Sequence, residues 1–98
     1  MTLTRSTGQT HRYTFTGNRF VDSDPPEEGS GTYSYSRNGS QATLTLNYTS
    51  SSGSVNLAGD RQDIQLNFTG ENKGSYTGVY MTNDGATLPQ EGVFEFIR

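Results

Sequence analysis

The sequence predicts an all-β protein, an antiparallel up-and-down meander of about eight strands closing into a small barrel. Three observations lead there. Apolar and polar residues alternate at period two through most of the chain. Turn-forming pairs interrupt these runs at short intervals. The 98 residues are poor in helix formers and rich in Thr, Ser and Asn, with 12 Gly, which suits half-exposed strands and tight turns. About eight strands of seven or eight residues and seven connections of about four use roughly 90 residues. That accounts for one domain across residues 1–98. Hairpin-length connections make neighbours antiparallel, because parallel strands need long crossovers.

The elements follow in order. Residues 2–6 read as a short first strand. Residues 11–16 and 18–22 form two aromatic runs joined by a tight turn at Gly17-Asn18. Residues 22–30 hold Pro25 and Pro26 beside Asp22, Asp24, Glu27 and Glu28, and read as a wet loop or short crossing. Residues 31–36 place Tyr33 and Tyr35 on one face. Asn38-Gly39 is the strongest hairpin signal in the chain, since both residue types tolerate positive φ. Residues 42–49 show the clearest alternation, with even positions apolar. Weaker runs occupy 54–58, 75–82 and 92–98, and a strong one 63–69. Turns are expected at Gly59-Asp60, over residues 71–74 and over 83–85. The inward set is Tyr13, Phe15, Phe20, Tyr33, Tyr35, Leu44, Leu46, Tyr48, Val55, Leu57, Ile64, Leu66, Phe68, Tyr76, Tyr80, Phe94 and Phe96.

Composition excludes several classes of function. The chain has no cysteine, so disulfides, thiolate metal sites and cysteine nucleophiles are ruled out. The net charge is −3, and six Arg and one Lys are scattered along the chain. Duplex nucleic acid, which needs a basic patch, is not an expected partner. No apolar run approaches the ~20 residues of a membrane-spanning helix. Residues 1–5 are polar and strand-like rather than leader-like. A secreted or periplasmic bacterial protein fits the composition if a leader has been removed or belongs to a longer parent chain.

Catalytic signals are absent at the level of pattern. His11 is the single histidine, no G-x-S-x-G elbow occurs, and one His cannot build a histidine-based metal site. Asp22, Asp24, Glu27 and Glu28 lack the spacing of a calcium loop and read as solvated acids. Asp63 and Glu95 are the carboxylates within strands, and Asp63 alternates outward. No catalytic residue, metal ligand or cofactor is therefore assigned.

Two apolar sets are better candidates. Tyr33, Tyr35, Tyr48, Phe68, Tyr76 and Tyr80 could line an interior that takes a small apolar molecule. Val79, Met81, Val93 and Ile97 fall opposite the inward face of two consecutive strands and predict a second apolar patch, a homodimer interface. The leading expectation is a non-catalytic binding module. The alternatives are a structural, self-associating domain and a small barrel-type lyase or isomerase.

Residues 31–46 resemble a family of uncharacterised bacterial β-domains. In these, a G-T-Y-x-Y strand, a tight turn and an A-T-L-x-L strand form a hairpin. The later matches are Leu66-Asn67-Phe68-Thr69, Gly74-Ser75-Tyr76-Thr77-Gly78 and Gly92-Val93-Phe94-Glu95-Phe96, so the resemblance spans residues 29–97. The plan is also similar to small lipocalin-like (calycin) barrels, although the G-x-W strand and closing helix are missing. The resemblance implies a barrel that encloses apolar ligands and carries over no functional residue.

Overall fold

The computed structural model describes residues 1–24, 27–52 and 58–96, with backbone alone for 23, 24, 27, 28, 51 and 52. Among the described residues eight strands follow in order: β1 (Thr2–Arg5), β2 (Thr10–Thr16), β3 (Arg19–Asp24), β4 (Glu27–Asn38), β5 (Gln41–Ser52), β6 (Arg61–Phe68), β7 (Lys73–Met81) and β8 (Thr87–Glu95). Each pairs antiparallel with the next, and β1 pairs with β8 from Thr2↔Glu95 to Arg5↔Gly92. The sheet is thus a closed up-and-down barrel, and closure removes both edges that an open meander would expose. No helix among the described residues is long and apolar enough to cross a membrane.

The turns obey local chemistry with one shift. Gly17 has φ +61 at the first central position of the β2–β3 turn, and Gly39 has φ +66 at the corresponding place between β4 and β5. Asn38 stays in β4, paired with Gln41, so the two-residue loop is Gly39-Ser40 rather than Asn38-Gly39. One positive-φ residue is enough for that turn, and glycine takes it without steric cost.

The largest correction concerns residues 22–30. Residues 22–24 and 27–30 continue the sheet: β3 runs to Asp24 and β4 starts at Glu27, paired through Asp24↔Glu27. Alternation places Asp22 inside, 7% exposed, where it was expected to be wet. Lys73 and Gly74, expected in a turn, belong to β7. The last strand begins at Thr87, earlier than the alternation shows, and contains Pro89. Pro89 pairs with Val79 and lies beyond the reach of short β1, which ends opposite Gly92, so that stretch of β8 is laddered on one side only. The expected strand at 54–58 lies outside the described residues except for Ala58, which begins a turn.

Side chains fill the barrel's midsection. Leu3, Phe20, Leu44, Leu46, Ile64 and Leu66 are almost wholly buried, with Ala42 and Phe94 beside them. Tyr13, Tyr48 and Tyr76 are buried as expected, while Phe15, Tyr33, Phe68, Tyr80 and Phe96 pack against this core and are partly buried. Tyr35 departs from the expected inward set. It is 42% exposed, because its turn of the alternation falls at the barrel's end. Val55 and Leu57 lie outside the described residues.

Glycine sets how tightly the strands curve. A Cβ on Gly31 would lie 1.8 Å from the Asn47 carbonyl oxygen, one on Gly74 1.8 Å from that of Asn67, and one on Gly92 2.0 Å from that of Thr4. A small barrel coils its strands sharply, and these three sites are where one backbone crosses close to the next.

Candidate ligand-binding site

The two ends of the barrel differ chemically. The β2–β3, β4–β5 and β6–β7 turns share one end, and there the inward positions of β2, β4 and β6 are aromatic. Phe15, Tyr33, Tyr35, Phe68 and Phe96 ring an open cup of about 730 Å³. Leu44 forms its apolar floor, and Gly17, Asn18, Arg37, Glu71 and Asn72 complete the rim. The volume lies in the range of about 300–1,000 Å³ usual for small-molecule sites.

The rings hold each other. Phe15 meets Tyr33 edge-on with centroids 4.7 Å apart, and Tyr35 meets Phe96 edge-on at 6.4 Å. Phe68 stacks parallel to Phe96 at 6.1 Å and meets Phe94 edge-on at 4.9 Å. The Tyr33 hydroxyl donates to the Gly17 carbonyl at 2.8 Å, fixing its ring to the turn. Arg37 continues the inward face of β4 next to small, buried Ala42, its register partner. Its Cζ lies 3.8 Å from the Phe68 ring centroid, and its Nε donates to the Gly39 carbonyl at 2.9 Å.

The opposite end is polar and tightly bonded. The Tyr48 hydroxyl donates to Asp22 Oδ2 at 2.8 Å. Gln62 Nε2 donates to the Tyr48 hydroxyl at 2.9 Å and to the Tyr13 hydroxyl at 3.0 Å. One buried cluster thereby ties β2, β3, β5 and β6 together. Beside it, the Tyr80 hydroxyl donates to Asp60 Oδ2, and the Asn83 backbone N–H donates to Asp60 Oδ1 at 2.7 Å. Asp60 thus pins the β7–β8 turn to the chain entering β6.

The six expected ligand-lining residues therefore divide. Tyr33, Tyr35 and Phe68 meet in the cup. Tyr48 and Tyr80 belong to the bonded polar end, and Tyr76 is buried in the wall with its hydroxyl unbonded among the described residues. The expected interface set also divides. Val79 and Val93 are exposed at 38% and 56%, but register places Val79 opposite Pro89 and Val93 opposite Ser75. Thr77 and Glu91 stand between them, so the two valines form no continuous patch. Met81 is half-buried, and Ile97 lies outside the described residues. Sequence reading missed Arg37, Phe15 and Phe96 as cup residues, and Asp22, Asp60 and Gln62 as buried ones. Inward parity on β2, β4 and β6 was a usable signal for Phe15, Arg37 and Gln62.

Of the four acids expected to be solvated, Asp22 points into the barrel, and the side chains of Asp24, Glu27 and Glu28 are outside the described set. Among the described residues, no group of three His, Cys, Asp or Glu could hold a metal ion.

Burial raises the pKa of Tyr13, Tyr48, Tyr76 and Tyr80 above the ordinary phenol value, with neighbouring carboxylates adding to the rise at Tyr13, Tyr48 and Tyr80. The unfolded chain begins to release these protons near pH 10, with phenols at about 10, while the folded barrel keeps them. The stabilisation they give is complete below about pH 10 and declines as the pH rises above it. Alkaline titration should thus show these tyrosines ionising together with loss of β-sheet circular dichroism. Smooth ionisation of all six tyrosines at full ellipticity would contradict this placement.

The fold and its cup define a small closed antiparallel barrel with an aromatic end pocket. No family model, curated protein or solved structure matches the chain.

Proposed function

We propose that the protein is a non-catalytic binding module that takes a small apolar, ring-bearing molecule in the aromatic cup. The observation that carries this reading is the concentration of five aromatic side chains around an open cavity at one end of a barrel whose midsection is filled. Aromatic rings left half-exposed around a concavity are costly to leave in water, and an apolar ring placed among them removes that surface. The reading agrees with the lipocalin-like resemblance in kind but differs in place. The ligand would sit in the mouth, above Leu44, rather than in a hollow interior.

The test is a fluorescence titration with N-phenyl-1-naphthylamine, a neutral dye that brightens in apolar surroundings. The expected result is saturable binding of one dye per chain. Tyr35→Ala, at an exposed position on the lip, should weaken it about threefold to tenfold while leaving the circular dichroism unchanged. Val93→Ser, on the outer wall, should leave it alone. Dye binding that is absent, or that ignores Tyr35 and responds to Val93, would overturn the proposal.

A further inference from the structure

We infer that the ligand of the cup is an aromatic anion: a flat ring seated among the aromatic side chains and a carboxylate or sulfonate held by Arg37. The inference rests on the cup being a binding site and adds the chemical class of what it holds.

Arg37 is fixed twice, and neither contact uses its outer nitrogens. Its Nε is committed to the Gly39 carbonyl, and one face of its guanidinium lies on Phe68. Its two Nη groups make no hydrogen bond or ion pair among the described residues. A guanidinium clamped in this way presents a planar fork of N–H donors in one orientation, and that fork matches the two oxygens of a carboxylate. Because the side chain is already ordered, little conformational freedom is lost when an anion docks. Glu71, the opposite charge on the rim, is engaged in an interaction of its own. The positive group is thus the one with donors to spare.

Position supports the pairing. Arg37 and Phe68 both line the cup, and Phe68 is stacked in turn with Phe96. A ring seated in the cup against Phe68 would share that wall with the Arg37 guanidinium. The chain carries a net charge of −3, so general attraction for anions is not the source of the preference. A local donor must supply it.

The experiment compares 2-naphthoate with its neutral near-isostere 2-naphthamide by NMR titration, following the Leu44 methyl and cup ring resonances. Wild-type protein should bind naphthoate about tenfold more tightly than naphthamide. Arg37→Gln should abolish that preference, bringing the two affinities within about twofold of each other. Raising the ionic strength of the wild-type sample should weaken naphthoate and spare naphthamide, which gives a second readout if Arg37→Gln fails to fold. Equal affinities in the wild type would overturn the anion assignment while leaving the cup as a binding site. A preference that survives Arg37→Gln would overturn the role of Arg37. No shift of cup resonances with either compound, together with no dye binding, would overturn both the inference and the reading beneath it.

Discussion

Gly31→Ala is expected to cost about 3 kcal/mol or more of stability, the upper end of what overpacking does. The reason lies in one distance. Gly31 is buried opposite Tyr48, where the β4–β5 register shifts between Ser30 and Gly31. A methyl group there would meet the Asn47 carbonyl oxygen at 1.8 Å and the Thr49 backbone nitrogen at 3.0 Å. Backbone atoms cannot swing aside as a side-chain tip can, so the strands would have to separate at the closest crossing of the longest hairpin. A chain of this size is stable by only about 5–15 kcal/mol in total. The thermal midpoint should therefore fall by about 12–24 °C, at about 4–8 °C per kcal/mol. Gly70→Ala is the matched control. Its Cβ would meet nothing closer than the Lys73 side chain at 3.4 Å, and its midpoint should barely move. Equal midpoints for the two variants would show that the crossing is looser than this geometry.

Tyr48→Phe is expected to cost about 1–3 kcal/mol, because the lost hydroxyl bonds a carboxyl group in a buried setting. The substitution keeps the ring that meets Phe20 edge-on with centroids 5.0 Å apart, so packing is retained. It deletes the donor to Asp22 Oδ2 and one acceptor of Gln62 Nε2. The donor is lost at a buried carboxyl oxygen, and this is why the cost exceeds that of an ordinary hydrogen bond. A double-mutant cycle with Asp22→Asn isolates the pair. Tyr48→Phe should cost less once the carboxylate is an amide, with a coupling of about 1–2 kcal/mol. Denaturant unfolding of the four proteins measures it. Costs that add within about 0.5 kcal/mol would show that the hydroxyl and the carboxylate act independently.

The cup has the opposite expectation. Its rim residues are exposed or half-exposed, so Tyr35→Ala and Arg37→Gln should change binding far more than stability. That separation between a filled barrel and its exposed rim is what lets the binding tests be read apart from stability.

Much of the fold was legible in period two and turn chemistry. The even positions of β5, from Ala42 to Tyr48, are buried as a block, because in a strand with one wet face each side chain's fate follows from its parity. The same rule carried Ile64 and Leu66 in β6, and Tyr76 in β7. It also implied hairpins, hence antiparallel neighbours and a meander. Residue type, not parity, misled where polar residues occupy inward positions. Asp22 and Gln62 look like surface residues, and the partners that Tyr48 and Tyr13 provide, 26 and 49 residues away in sequence, help make their burial tolerable.

The sequence by itself determined the alternation, the antiparallel meander and the aromatic character of the inner face, since these depend on neighbours along the chain. The tertiary structure decided closure, through β1 meeting β8, and it decided which aromatics share a space. Parity assigns a side chain to the inside without saying how far along the barrel axis it sits. Strand pairing and the tilt of strands in a closed sheet set that height. They bring Tyr33, Tyr35 and Phe68 to one mouth with Phe15, Phe96 and Arg37, and carry Tyr48 and Tyr80 to the other end beside Asp22 and Asp60.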